Sequence, residues 1–212
     1  MKTWQKKLIK LVSPYLEKIG PEHEIDHSER VFKYCLIFSQ SCKGVDSEAL
    51  FAAAYLHDFG YLKNKKGGVN HGQLALDDIV LILKKAEVPE KKLVLIKQII
   101  KFHDTIEDLS KTRLPKEISI FHDADKIDGS GAMGVARQLV YSGRVGKKIW
   151  NPKIKRNPSL PYGGSFSAIH SILDYHLKHR FYTKIAKKIA VERKKHMRSF
   201  VKEFFQEYNF KR

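Results

Sequence analysis

Ala52-Ala53-Ala54-Tyr55-Leu56-His57-Asp58-Phe59-Gly60 reads as a helical run of small residues ending in a polar pair. Alanine is the best helix former, and Gly60 reads as the stop. Leu50, Ala53, Ala54 and His57 recur at i, i+3, i+4 and i+7, so His57 points where the apolar residues point. Asp58 follows at the end of the helix. An imidazole beside a carboxylate at a buried helix end must be paired, protonated or bound to a metal, because an isolated charge there costs too much desolvation.

Outward from this stretch, nearly every segment has the helical period. Leu8, Leu11, Val12, Tyr15, Leu16 and Ile19 form a stripe from Trp4 that Gly20-Pro21 closes. Asp26 opens a second helix, with Glu29 three residues on as a capping box and His27, Val31, Tyr34, Cys35 and Phe38 as its inner face. The third helix opens near Asp46 and runs to His57. A loop over residues 61–70 follows, and His71 starts a helix carrying Leu74, Ala75, Ile79, Ile82 and Leu83. Pro89 suits the first turn of the next, whose face is Leu93, Ile96, Ile100 and His103. Ile118, Phe121, His122 and Asp125 share a face of a further helix, which Gly129 and Gly131 interrupt before residues 132–140 resume the spacing.

Residues 142–165 differ. They are rich in glycine and proline and carry Arg144, Lys147, Lys148, Lys153, Lys155 and Arg156. A basic lid over an anionic site is the functional reading of so long a loop, and an excursion without a role is the other. Two helices close the chain, the last from about 182 toward 208 with Ile185, Ile189, His196, Phe200 and Phe204. The expected fold is therefore all-α: one domain over 1–212, with its core at about 20–140, the loop at 142–165 and C-terminal helices at 166–209.

A chain of 212 residues is long enough for a sizeable core. No apolar run reaches about 18 residues, so no membrane span and no membrane partner are expected. The opening Met1-Lys2-Thr3-Trp4-Gln5-Lys6-Lys7 lacks the apolar block of a signal peptide. With Cys35 and Cys42 as the only cysteines, a disulfide framework is excluded and a reducing, cytoplasmic setting is expected. The formal charge of +17 favours polyanions: nucleic acids, nucleotides or phosphorylated substrates. A lysine-rich solvated surface is the alternative. Aromatic–glycine RNA-binding motifs, zinc-finger spacings and a helix-turn-helix pattern are all missing. The amphipathic terminal helices are suited to pairing into an oligomer.

His27, His57, Asp58, His71, His103 and Asp125 each sit on or beside an apolar helical face. One such histidine is ordinarily a satisfied core residue. Six imidazoles and carboxylates on the inner faces of consecutive helices are satisfied together around a cation. Nitrogen and oxygen donors suit manganese, magnesium, cobalt, nickel, iron or zinc, and no cysteine joins the set. Such an ion keeps positions open for water and a substrate oxygen.

At these residues the chain resembles a known family. His27, then His57-Asp58, then Asp125 look like the H…HD…D signature of the HD-domain superfamily of metal-dependent phosphohydrolases. Asp26-His27-Ser28-Glu29-Arg30-Val31, Leu56-His57-Asp58-Phe59-Gly60 and Asp123-Ala124-Asp125-Lys126-Ile127-Asp128 look like the family's local segments. Residues 131–137, Phe181-Tyr182 and Glu192-Arg193-Lys194 are similar to a bacterial and archaeal subgroup with nucleotide pyrophosphohydrolase members. The similarity runs over roughly residues 20–205.

The resemblance implies a divalent metal between helices, held by His27, His57, Asp58 and Asp125, with Asp58 also the catalytic group. His71 and His103 stand where some subfamilies hold a second metal or touch phosphate. Arg30, Lys126 and, from outside the cavity, Lys63 would neutralise phosphate charge. The implied reaction is attack of metal-bound hydroxide on phosphorus in a phosphate ester or anhydride, foremost of a nucleotide. There are departures. Tyr61-Leu62 stand where the subgroup often has an acid. His103-Asp104-Thr105-Ile106-Glu107-Asp108 looks like the HDxxED motif of guanosine tetraphosphate hydrolases, but Asp125 follows it too soon. His122-Asp123 is expected beside the site or at the surface, and Asp128 as a cap or brace. Two other classes compete: a di-iron oxygenase on the same fold, and a non-catalytic nucleic-acid-binding protein.

Overall fold

The computed structural model describes residues 1–64, 71–105, 108–153 and 167–210, and among them the chain forms nine α-helices and no strand. It divides into two compact units, Met1–Asp125 and Lys126–Arg212.

The first unit holds α1 (Thr3–Ile19), α2 (Ile25–Ser39), α3 (Ser47–Leu56), α4 (Leu76–Lys85), α5 (Leu93–Phe102) and most of α6 (Lys116–Asp128). Its centre is α3, on which α1, α2 and α5 pack. Every residue from Ala49 to Leu56 is buried, so beyond its first two residues, Ser47 and Glu48, α3 has no solvent face. Three consecutive alanines keep it thin enough to be surrounded. The α-helix stops at Leu56, and His57–Leu62 continue as a 3-10 turn.

Asp46 caps α3. Its carboxylate accepts from the Glu48 and Ala49 amides at 3.1 and 3.0 Å and from Lys92 Nζ at 2.8 and 2.9 Å. Its own amide donates to Glu117 Oε1 at 3.0 Å. Burial works to raise the Asp46 pKa, but the Lys92 ammonium and the two amides outweigh it and hold it below 3.8. A depressed folded pKa contributes stability above the unfolded value and loses it as pH falls through the folded one. Asp46→Ala is therefore expected to cost about 1–2 kcal/mol at neutral pH, shrinking below pH 3.8. Urea unfolding of both proteins at pH 7 and pH 3 checks this, and an undiminished gap at pH 3 would contradict it.

Several boundaries differ from expectation because short 3-10 turns intervene, and these carry no helical period. Pro21–His23 is such a turn and feeds straight into α2, which starts at Ile25 with Glu24 as its cap residue. Asp26 is exposed in the first turn, and no Asp26–Glu29 capping box forms. His71–Ala75 and Glu90–Lys92 are also 3-10 turns, so Pro89 precedes α5 rather than entering it.

The second unit holds α7 (Gly131–Arg144), α8 (Ala168–Asp174) and α9 (Lys184–Tyr208) around Val135, Ile169, Ile172, Met197 and Val201. The buried stripe of α9 is Ala186, Ala190, Met197 and Val201, one residue on from the expected Ile185, Ile189, His196 and Phe200. Alanines allow the close approach, the isoleucines flank it, and His196 is exposed. Ser142, Gly143 and Arg144, expected in the basic loop, complete α7. Lys155, Arg156 and the rest of residues 154–166 lie outside the described residues, as do residues 65–70 of the earlier loop. Among the described residues, no helix is long and apolar enough to cross a membrane.

Candidate metal centre

His27 lies in the first turn of α2, His57 and Asp58 begin the turn after α3, and Asp125 lies on α6. His27 Nε2 is 3.2 Å from His57 Nε2, 3.4 Å from Asp58 Oδ2 and 3.5 Å from Asp125 Oδ1. His57 Nε2 is 3.1 Å from Asp58 Oδ2 and 3.8 Å from Asp125 Oδ1. The His57 Nδ1–H donates to the Ala54 carbonyl at 3.0 Å, which aims Nε2 inward.

A second group adjoins the first. His71 Nε2 is 3.1 Å from Asp58 Oδ1 and 3.1 Å from His103 Nε2. His103 Nδ1–H donates to the Ile100 carbonyl at 2.7 Å, leaving Nε2 with a lone pair. His71 Nδ1 lies 2.8 Å from Asp104 Oδ2, which also accepts the His71 amide at 3.3 Å. Asp58 thus turns Oδ2 to His27 and His57 and Oδ1 to His71.

Two glycines bring these turns together. A Cβ on Gly60 would stand 1.9 Å from the His71 carbonyl oxygen. One on Gly72 would stand 2.4 Å from the Ile100 carbonyl oxygen and 2.9 Å from His103 Cε1. Gly60 is not among the left-handed glycines, so its role is close approach and not the expected helix stop.

Two members of the cluster were not anticipated as ligand-type groups, His23 and Asp104. His23 Nδ1 is 2.8 Å from Asp58 Oδ2. Its ring stacks on Tyr61 at 4.4 Å, and Tyr61 also faces His71 at 4.5 Å. The residue standing in the acid's place therefore lies between the two imidazoles that hold Asp58. The available signal was the four-residue spacing in His23-Glu24-Ile25-Asp26-His27. It is not the H-E-x-x-H of metalloproteases, because Glu24 is exposed at the helix cap. Asp104 sits in the rival HDxxED string. His103-Asp104 joins the same cluster as His57-Asp58, Asp108 caps a turn at Leu109–Lys111, and Ile106 and Glu107 lie outside the described residues.

The other expected residues are placed as follows. Arg30 is half-buried, one turn along α2 from His27. Lys63 Nζ lies 2.8 Å from Asp78 Oδ2 in a half-exposed pair. Lys126 is buried, its Nζ 5.8 Å from the centroid of Tyr175. His122 and Asp123 are both buried, which removes the surface reading for that pair. Asp128 accepts from Arg137 Nη1 at 2.9 Å, a brace as expected.

The electrostatics favour a cation. Burial works against charge on His71, yet Asp104 and Asp58 overcome it and raise its pKa to about 10. Burial likewise opposes ionisation of Asp58, but His57 and His23 hold its carboxyl well below the usual range. Burial lowers His103 to about 3, so it stays neutral. Protons on imidazoles thus balance the carboxylates, and a divalent ion can take their place. Buried imidazole nitrogens, fixed from behind and converging with carboxylate oxygens, fit such an ion.

Residues 25–130 match the HD domain family. A solved protein from Lactobacillus plantarum is 25% identical with a TM-score of 0.79, over 99% of this chain and 98% of its own. An HD-superfamily hydrolase from Bacillus thuringiensis is 25% identical with a TM-score of 0.67, over 97% and 96%. Bacillus subtilis YpgQ, solved in complex with ADP, shares the fold at 18% identity and a TM-score of 0.69, over 96% and 97%. No curated protein matches the chain.

Proposed function

The chain belongs to the HD domain family, and on that premise we propose that it is a metal-dependent phosphohydrolase cleaving a phosphate ester or anhydride of a nucleotide. The observation that carries this reading is Asp58, whose two oxygens each face a separate group of imidazoles. In it, His27, His57, Asp58 Oδ2 and Asp125 hold a divalent cation. His103 Nε2 offers a lone pair, which suits a cation and repels a phosphate oxygen. Of the two roles the sequence leaves open for His71 and His103, this proposal takes the second cation over the phosphate contact, with Asp58 as the further residue that would hold it.

Divalent ions there supply Lewis acidity, lowering the pKa of a bound water and polarising a phosphoryl oxygen. The chain's own part is positioning. The Ala54 and Ile100 carbonyls and Asp104 fix the imidazoles, His23 pins Asp58, and Phe121 lies edge-on to His57 with ring centroids 5.3 Å apart. Arg30, one turn along α2 from His27, would neutralise substrate phosphate charge in this reading. A nucleotide is favoured by a fold that accommodates ADP in YpgQ.

The test is phosphate and pyrophosphate release from a panel of nucleoside di- and triphosphates, before and after chelation. Readdition is with manganese, magnesium, cobalt, nickel, iron or zinc. Release should vanish on chelation and return with at least one of these ions. Hydrolysis that persists without metal would defeat the proposal. Oxygen uptake by iron-loaded protein, without phosphate release, would replace it with di-iron oxygen chemistry.

A further inference from the structure

The charge of the chain is concentrated in one unit. The first unit has 20 lysines and arginines against 18 acids, and the second has 20 against 5. A general bias toward lysine would raise both alike. The second unit thus carries +15 of the +17.

Part of that excess is ordered along α9. Lys184, Lys187, Lys188, Lys195, Arg198 and Lys202 are all exposed. At 100° per residue they fall within an arc of about 100°, and they span about 27 Å along the axis. Val191, also exposed, is the one apolar residue in the stripe. The helix's acids, Glu192, Glu203 and Glu207, lie on a separate arc about 80–140° from Lys184. Two further cations of α9 are engaged inside the unit: Arg193 Nη1 donates to the Ile127 carbonyl at 2.6 Å, and Lys194 Nζ to the His179 carbonyl at 2.7 Å.

From this stripe we propose that the outer face of α9 docks on the phosphate backbone of duplex DNA. A straight row of cations of this length meets the phosphates of about eight base pairs, at 3.4 Å per pair on one strand. Single strands are gripped through aromatic stacking platforms, and the stripe has no aromatic residue. An anionic membrane surface favours helices with large apolar residues beside the cations, and Val191 alone does not supply them. Contacts of this kind position without reading bases, so binding is independent of sequence.

Fluorescence anisotropy of a 20-base-pair duplex with the full chain, from 50 to 200 mM NaCl, tests the proposal. Six phosphate contacts give a slope of log K against log salt of about −5. Substituting Lys187, Lys188, Lys195 and Arg198 with glutamine keeps helix propensity and removes four contacts, so the slope should become shallower by about 3–4. Affinity at 50 mM should fall at least tenfold. The double variant Lys187→Gln/Lys195→Gln should show about half the change in slope, should the fourfold variant melt early. Asp58→Ala should bind the duplex like wild type, which separates this surface from the metal centre. Absence of duplex binding at 50 mM, an unchanged slope in the variants, or dependence on Asp58 would overturn the proposal. So would binding to single strands or phosphatidylglycerol vesicles tighter than to the duplex.

Discussion

Asp58→Ala is expected to leave the protein folded, without bound divalent metal, and at least about a thousandfold slower in phosphate release. The carboxylate is the one group shared by both halves of the centre, through Oδ2 to His27 and His57 and through Oδ1 to His71. Losing an outer partner of a metal ligand already costs about 10- to 100-fold in affinity, and in the proposed reading Asp58 would serve both halves at once. The fold should survive because the imidazoles can shed their protons when their counter-charge goes. Burial works to lower the His57 pKa, and Asp58 is the first of the groups that outweigh it and raise it. His71 retains Asp104. Elemental analysis of metal per chain, phosphate release and circular dichroism check the three parts. A variant with wild-type metal content would remove Asp58 from the ligand set, whatever its activity. Asp58→Asn, which keeps the volume and one oxygen but not the charge, is expected between the two.

The second large effect is expected from Gly60→Ala. The added methyl would stand 1.9 Å from the His71 carbonyl oxygen and 2.6 Å from its carbon, so backbone must move. Overpacking of this kind costs about 1–3 kcal/mol or more, which in a chain of this size lowers the melting temperature by roughly 2–12 °C. The displaced backbone is that of His71, so metal affinity at the His71–His103 group should fall along with stability. Gly143→Ala in α7 is the control. Its methyl meets nothing within 4 Å, and it is expected to stabilise by about 0.5–1 kcal/mol. Thermal melts with and without metal distinguish the cases. A Gly60→Ala protein with wild-type melting temperature and metal content would refute the close-approach account.

Much of the candidate cluster is legible in the sequence because groups able to hold a metal must be particular residue types on inward faces. His27, His57, Asp58 and Asp125 meet both conditions, and His71 and His103 extend the pattern onto the next elements. What escaped reading lay in 3-10 turns and in the ways elements meet. Pro21–His23 is too short to show periodicity, so His23 stood out only by its distance from His27. Asp104 was hidden inside a motif that pointed to a different registration. Gly60 looked like a helix stop because a close backbone approach and a left-handed cap select the same residue. The stripe of α9 was misplaced by one position because two alanines, weak in hydrophobicity, mark its closest contact. The uneven charge is written in the sequence, but it becomes meaningful only once the boundary at Asp125 is known.

The burial of α3 from Ala49 to Leu56 has a consequence for the order in which the first unit comes apart. Local opening begins where few apolar contacts hold the backbone, at helix ends and turns that face water. Apart from exposed Ser47 and half-buried Glu48 at its start, α3 has no such edge, so the amides of Ala49 to Leu56 are expected to become accessible only when the helices around them have separated. His57 and Asp58, attached to its C-terminal end, are therefore carried by an element that resists local opening. Two of the four residues that would hold the cation are thus fixed to an element that stays closed while its surroundings open.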